Sequence, residues 1–205
     1  MKYAYFNPTI VAMDDVPDDI FQWCVNTVEQ AHHRSDLNDA GNPALSIRGG
    51  QQIQILPNEM GLDIAPLARY VEDICTQYID TVRASAGITE EFPVKPVLVS
   101  AWTLKQGPGD YQALHSHEAH LSGNIYIEVP ELDIGYTNTD SCIEFRLPTV
   151  RNPARFTFTD TWRFRPERAK IIMFPSYLPH TVYPWRGNGH RISLAWDAKL
   201  VDKNL

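Results

Sequence analysis

The stretch "LHSHEAHLSGNIYIEV", residues 114–129, places three of the chain's seven histidines within six positions, at His115, His117 and His120. Neutral imidazole is the commonest metal-binding side chain, and it also serves as a switchable charge near neutral pH. In a β-strand, residues two apart point to the same face. His115 and His117 therefore share a face and could occupy two adjacent positions on one ion. His120 lies an odd number of residues from both, across a turn, and regular geometry points it away. Taken alone, the pair reads equally as two exposed or hydrogen-bonded histidines.

Support comes from the segment "IIMFPSYLPHTVYPWRGNGHRISLAW", residues 171–196. An apolar strand is followed by a proline-bounded turn that presents His180, then a short aromatic strand, a glycine-rich hairpin loop and a last strand. Arg191 follows His180 by eleven residues, and Ser193 shares its face two positions on. An arginine opening an otherwise apolar strand is costly to turn inward without an anionic partner. With a hydroxyl beside it, the guanidinium makes a good clamp for a carboxylate. At a strand end next to a loop, it reads equally as a solvated charge. His190 alternates to the opposite face.

The elements that must position these groups divide the chain in two. Residues 3–12 read as a first strand. Phe21, Cys24, Val25, Val28 and Ala31 recur at helical spacing, with Asp18 and Asp19 in the first turn, where the helix dipole favours anions. His32 and His33 close this helix and are expected to be cations at its C-terminus. A possible strand at "QQIQIL" follows a polar loop. A second helix is predicted from about Pro66 to Ala86, striped by Leu67, Val71, Ile74, Cys75, Tyr78 and Val82 and stopped by Gly87. From residue 96 the texture is short strands between turn residues: "VLVSAWTLKQ", "YQALHSH", "HLSGNIYIEV", "CIEFRL", "ARFTFT", "AKIIMF", "HTVYPW" and "RISLAWDA". The expected fold is mainly β: a double-stranded β-helix, jelly-roll or cupin-like, with two N-terminal helices on one sheet. A plain β-sandwich is the alternative. One domain over residues 1–205 is expected, with residues 1–95 as helical support and N-terminal strands and 96–198 as the β core.

Composition narrows the partners. A chain of 205 residues with 43% apolar content can bury a core, and 15 prolines with 11 glycines suit a turn-rich β fold. A net charge of −7 argues against nucleic acid and anionic membranes, which need clustered Lys and Arg. No run approaches the roughly 20 apolar residues of a membrane span. The start "MKYAYFNPTIVAMDD" lacks the pattern of a secretory leader. Cys24, Cys75 and Cys142 are odd in number and widely spaced, so neither a disulfide framework nor a cysteine-rich zinc site is expected. Cys24 and Cys75 fall on helical stripes as small core hydrophobes. The expected location is the cytoplasm.

These residues together resemble the Fe(II)- and 2-oxoglutarate-dependent oxygenases. "PGDYQALHSH" is similar to the Pro-Gly-x-x-Tyr-x-x-His-x-Asp region of prolyl-hydroxylase-like members, with one extra residue between Tyr111 and His115. "LSGNIYIEVP" and "FPSYLPHTVYP" resemble the LSGxxY and FPSxLxH motifs of a poorly characterised branch. The resemblance covers about residues 96–198. It implies a jelly-roll core, Fe(II), 2-oxoglutarate as co-substrate and O2. It places the metal on His115, His117 and His180, and the distal carboxylate of 2-oxoglutarate on Arg191 and Ser193. The Tyr126 hydroxyl could meet a co-substrate carboxylate, as similar tyrosines or threonines do in the family; it reads equally as a core aromatic. Trp102, Trp185 and Trp196 read as packing or pocket walls. The residues beyond the ligands would act by binding and orientation.

One departure stands out. The family's carboxylate position holds His117, giving His-x-His. Imidazole suits iron, and a regular strand would place His117 without distortion. The competing ligand is Glu118, turned inward by a bulge. The implied reaction couples decarboxylation of 2-oxoglutarate to succinate and carbon dioxide with hydroxylation of an amino-acid, peptide or small-metabolite substrate. Three rivals remain open: a cupin-like three-histidine iron dioxygenase without 2-oxoglutarate, a non-enzymatic jelly-roll binding module, and a zinc-dependent isomerase or hydrolase. The last would need Glu118 or Glu144 as its base.

Overall fold

The computed structural model describes residues 9–39, 41–42, 45–57, 60–90, 93–133, 135, 139–152 and 157–203. Strand β1 is Ala12–Asp15, helix α1 Asp18–His32, β2 Ile47–Arg48, β3 Gln51–Leu56, and helix α2 Ala65–Ser85. The strands of the core follow as β4 (Val94–Gln106), β5 (Tyr111–His115), β6 (Leu121–Glu128), β7 (Glu131–Leu132) and β8 (Ile143–Asn152). They continue with β9 (Thr157–Phe164), β10 (Lys170–Pro175), β11 (His180–Val182), β12 (Gly187–Asn188) and β13 (Arg191–Asp202).

Both helices match their sequence patterns. In α1, Phe21, Cys24, Thr27, Val28 and Ala31 are buried; in α2, Leu67, Val71, Cys75 and Tyr78 are. Gly87 ends α2 at φ +66°, the left-handed conformation that glycine adopts without steric penalty. The first strand differs from expectation. Residues 3–8 lie outside the described residues, and the strand found runs from Ala12 to Asp15. Residues 154–156 of the expected strand "ARFTFT" also lie outside them, and β9 extends on to Phe164. His32 is a second correction. It is not a cation at the helix terminus: burial, with help from the positive charge of Lys105, pushes its pKa down to about 4. The last turn of α1 lies against the sheet, where a His32 ring nitrogen contacts Thr103 Oγ1 at 3.3 Å. No helix among the described residues is long and apolar enough to cross a membrane.

The strands form two main antiparallel sheets. Six strands run in the order β1-β10-β6-β13-β4-β3, and five in the order β2-β5-β11-β8-β9. From β4 onward the chain passes back and forth between the two sheets, which makes the core a double-stranded β-helix. Helices α1 and α2 cover the outer face of the six-stranded sheet in one apolar core, while Ile172 and Phe174 face inward with Ile143, Phe145 and Val182 of the second sheet. Because both faces of β10 are covered, its sequence is continuously apolar rather than alternating.

The inner face of the six-stranded sheet carries the polar residues. On β13, Leu194, Trp196 and Ala198 lie in the helix-side core, while Arg191, Ser193 and Ala195 line a cavity between the sheets. On β6, Leu121, Ile125 and Ile127 face the helices, and Ser122, Asn124 and Tyr126 face the cavity. Register links the two strands: Gly123 stands opposite Trp196. A Cβ on Gly123 would sit 2.2 Å from Cζ2 of the Trp196 ring. The glycine of the LSG motif is therefore where the indole lies against the neighbouring backbone.

Gly123→Ala forces that ring to move in a filled core, an overpacking change that costs about 1–3 kcal/mol and sometimes more. Urea unfolding should show a loss at the upper end of this range. Adding Trp196→Phe removes the indole atoms nearest the new methyl, so the double variant should lose about 1 kcal/mol less than the sum of the singles. Strict additivity would show that the ring does not set the requirement for glycine.

Candidate metal centre

The second sheet brings two histidines face to face. His115 ends β5, His180 opens β11, and the register pairs them directly. Their ring centroids lie 4.2 Å apart. The His117 ring completes the triangle at 5.1 Å from His115 and 5.2 Å from His180. One ligand atom from each of the three lies within 4.8 Å of the others.

His117 reaches this position by a different route from the one expected. Strand β5 stops at His115, so strand alternation does not carry His117 inward. Its backbone N–H instead donates to the Ser176 carbonyl at 2.9 Å, in the turn between β10 and β11, and Ser176 N–H donates to His120 O. The two turns hold each other. Trp102 stacks on the His117 ring, with centroids 5.5 Å apart. Glu118 is exposed and outside the cluster. His120 points away, accepting the Leu200 N–H on Nδ1 at 2.9 Å. His190 is exposed.

The partners of the three rings define which nitrogen is free. His115 Nδ1 lies 2.7 Å from Ala113 O, and His180 Nδ1 lies 2.9 Å from Leu178 O. A carbonyl only accepts, so each Nδ1 carries the proton and each Nε2 keeps its lone pair. His117 Nδ1 lies 3.2 Å from the Asp197 carboxylate, which also only accepts. All three rings thus present bare Nε2 atoms. The Nε2 atoms of His117 and His180 are 3.4 Å apart. Two lone pairs at that distance repel unless a cation lies between them. Protonation is a poor source of that cation at His115 and His180. Burial pushes the His115 pKa down to about 4, and burial with the neighbouring imidazoles drives His180 well below its usual value. Three imidazoles with Nδ1 held from behind form a chelating set for a divalent transition metal.

Arg191 and the histidines line the same cavity. Arg191 is 3% exposed, and among the described residues its guanidinium donates to neutral acceptors: Ser141 O at 3.0 Å, Tyr183 O at 3.3 Å and Gln106 Oε1 at 2.6 Å. The face of Trp185 lies 5.1 Å from its Cζ. Burial lowers its pKa to about 10, so it remains charged at neutral pH. Gln106 Nε2, also buried, finds no acceptor among the described residues. Ser193 and Tyr126 line the same space, and burial raises the Tyr126 pKa, keeping the phenol a neutral donor. A buried cation and several spare donors in one cavity describe a site for an anion with carboxylate-like oxygens.

The sequence reading did not include Asp197 or Gln106. Alternation from Arg191 through Ser193 and Ala195 reaches Asp197, so that signal was present. Gln106 meets Arg191 only through the pairing of β4 with β13, for which sequence offers no local sign. Glu144, the other candidate base, is occupied: Tyr183 donates to it at 3.0 Å, and Arg163 is its ion-pair partner. Trp196 is a core residue, Trp102 lines the cavity, and Trp185 lies against the Arg191 guanidinium.

A family model described as "Putative 2OG-Fe(II) oxygenase" matches residues 100–197. No curated protein matches the chain by sequence. Among solved structures, the chain is similar to a prolyl-4-hydroxylase from Pseudomonas putida at 17% identity and a TM-score of 0.57, covering 93% of this chain and 94% of that one. It is also similar to a prolyl hydroxylase from Trichoplax adhaerens, solved in complex with a hypoxia inducible factor oxygen degradation domain peptide fragment. There the identity is 13% and the TM-score 0.55, covering 95% of this chain and 84% of that one. At these identities the likeness is one of fold, the double-stranded β-helix with its supporting helices.

The lowered His115 pKa predicts acid sensitivity of the metal-free protein. An unfolded histidine titrates near 6.5. Between there and about pH 4 the unfolded chain binds a proton that folded His115 refuses. This contribution to stability is intact above about pH 6.5 and is lost as pH falls towards 4. Urea unfolding at pH 7, 6 and 5 should show the decline. His115→Gln should flatten it by at most about 1.4 kcal/mol per pH unit, the value of one proton. An unchanged slope would place the His115 imidazole in water.

Proposed function

We propose that His115, His117 and His180 hold the Fe(II), and Arg191 the 2-oxoglutarate, of the 2OG-Fe(II) oxygenase family to which residues 100–197 of this chain belong. One observation carries the assignment: three converging imidazoles and a buried guanidinium with no ion-pair partner among the described residues line one cavity. Iron with 2-oxoglutarate and O2 supplies oxidative decarboxylation to succinate coupled to hydroxylation of a substrate C–H bond.

The residues divide that work. The three imidazoles would take three coordination positions through Nε2 and leave the others for the co-substrate and O2. Being neutral, they leave the ion its full double charge, which a dianionic co-substrate offsets. Arg191, joined by Ser193 and the spare Gln106 Nε2, would take the distal carboxylate as a charge-assisted pair in a dry setting. Tyr126 would donate its phenol proton to a carboxylate oxygen. Arg191 separates this reading from a three-histidine iron enzyme without 2-oxoglutarate, which gives the guanidinium no partner.

A second depression adjoins the histidines and would admit the substrate. Its walls include Ser46, Gln52, Gln54, Ser100, Gln112 and Trp102. Among the described residues, its only ionisable lining side chains are the histidines. Amide and hydroxyl groups beside an indole favour an uncharged, hydrogen-bonding portion of an amino acid, peptide or small metabolite. The acidic composition supports such substrates over nucleic acid.

His115→Ala or His180→Ala should abolish iron binding and succinate formation, measured by metal analysis and product assay; unchanged iron stoichiometry in both would refute the ligand assignment. Arg191→Ala should spare iron but weaken 2-oxoglutarate binding. Removing one member of a buried charge pair costs about 2–5 kcal/mol, which is roughly 30-fold to several thousand-fold in affinity. Arg191→Lys should recover only part, because an ammonium lacks the planar fork. The test is anaerobic titration of the Fe(II) protein with 2-oxoglutarate, following the charge-transfer band of the chelate. Equal affinity in Arg191→Ala and parent would remove the clamp.

A further inference from the structure

Resting on that assignment of the three ligands, we infer that Asp197 is the positioning residue of the metal centre. It supplies, one hydrogen bond behind His117, the negative charge that the ligand set itself lacks. The three rings are not backed alike. His115 and His180 are held by backbone carbonyls, and His117 by the Asp197 carboxylate at 3.2 Å. Both side chains of that pair are 14% exposed, so little water competes for the contact.

The carboxylate is itself oriented. Its second oxygen, Oδ1, accepts the Ser122 hydroxyl at 2.6 Å. Ser122 Oγ also lies 2.8 Å from Ser176 Oγ. Since the one proton of Ser122 goes to Asp197, Ser176 must be the donor to Ser122. Ser122 and Ser176 are fully buried, and the Ser176 carbonyl accepts the His117 backbone N–H. His117 is thus gripped at its ring and its backbone by one connected set of groups, Asp197, Ser122 and Ser176. The serine of the LSG motif and the serine of the FPS turn both have a role there.

Among the described residues, His117 is the only ion-pair partner of Asp197. Asp197 shares its strand face with Arg191, but six residues separate them, roughly 20 Å at about 3.3 Å per residue. Each therefore serves its own end of the cavity. A carboxylate behind a ligating imidazole fixes the tautomer, fixes the ring plane and raises the basicity of the far nitrogen; its loss typically weakens metal binding by about 10–100-fold. In a His-x-His site this contribution stands in for the ionic ligand that His-x-Asp would provide directly.

The experiment titrates metal-free protein with Mn(II) by calorimetry, which avoids iron oxidation and does not depend on turnover. Asp197→Asn keeps the shape and an acceptor oxygen but removes the charge, and should bind Mn(II) about 10–100-fold more weakly. Placing the carboxylate directly at the metal, in His117→Asp, should abolish this dependence: there Asp197→Asn should leave Mn(II) affinity equal or tighter. A purely structural role for Asp197 predicts the same loss in both backgrounds and would overturn the inference, as would an Asp197→Asn protein within twofold of the parent. A parent that binds no Mn(II) would overturn the ligand assignment together with it. Nitrogen-15 NMR of the imidazoles in the parent gives a check that needs no variant to fold. His117 should carry its proton on Nδ1; a proton on Nε2 would also overturn the inference.

Discussion

The cavity depends on the register of β13 between β6 and β4. This strand pairs along most of its length with both neighbours. Each of its side chains therefore has a fixed face and fixed companions. Arg191 meets Gln106, Ser193 meets Tyr126, and Trp196 meets Gly123. A slip of one residue would send Arg191 and Asp197 into the helix-side core and Trp196 into the cavity. The close approach of the Trp196 indole to Gly123 opposes such a slip, because a position with a Cβ cannot receive the ring. Packing on the apolar side of the sheet thereby holds the chemistry on the other.

Electrostatics shapes the cavity as strongly as packing does. At one end, three imidazoles converge on a common point and a carboxylate stands behind one of them. At the other, a guanidinium rests among carbonyls with no ion-pair partner among the described residues. Neither end is comfortable without a guest. A cation relieves the first and an anion the second, and a ligand chelating the metal with one end while extending a carboxylate to Arg191 satisfies both. That pairing of needs is a stronger guide to function than the three histidines alone, since a jelly roll can carry a metal for many purposes.

Two departures from expectation share a cause. His32 closes a helix where a cation would be favourable, yet it is neutral, because the helix end rests on the sheet and burial outweighs the dipole. His117 stands two residues after His115 but lies beyond the strand, held by the turn that leads to His180. In both cases a local rule was overtaken by what the folded neighbours supply. Alternation predicts an inward His117, but the strand has already ended there, and a loop-to-loop hydrogen bond holds the residue in place.

Much was legible in the residues themselves. The apolar stripes of α1 and α2, the stop at Gly87 and the succession of short strands follow from periodicity and turn chemistry, which act over a few residues. The order and spacing of His115, His117, His180 and Arg191, with the LSG and FPS motifs, pointed to an iron oxygenase core because such motifs record geometry already tied to sequence. Tertiary structure decided the rest. That Asp197 backs His117 across 80 residues, that Gln106 reaches Arg191 across 85, and that Glu144 is occupied by Tyr183 and Arg163 all depend on strands distant in sequence being laid side by side. The physical reason is that burial and pairing are properties of the packed sheets. A carboxylate in a sequence carries no mark of whether its partner will be water, a guanidinium or the far side of an imidazole.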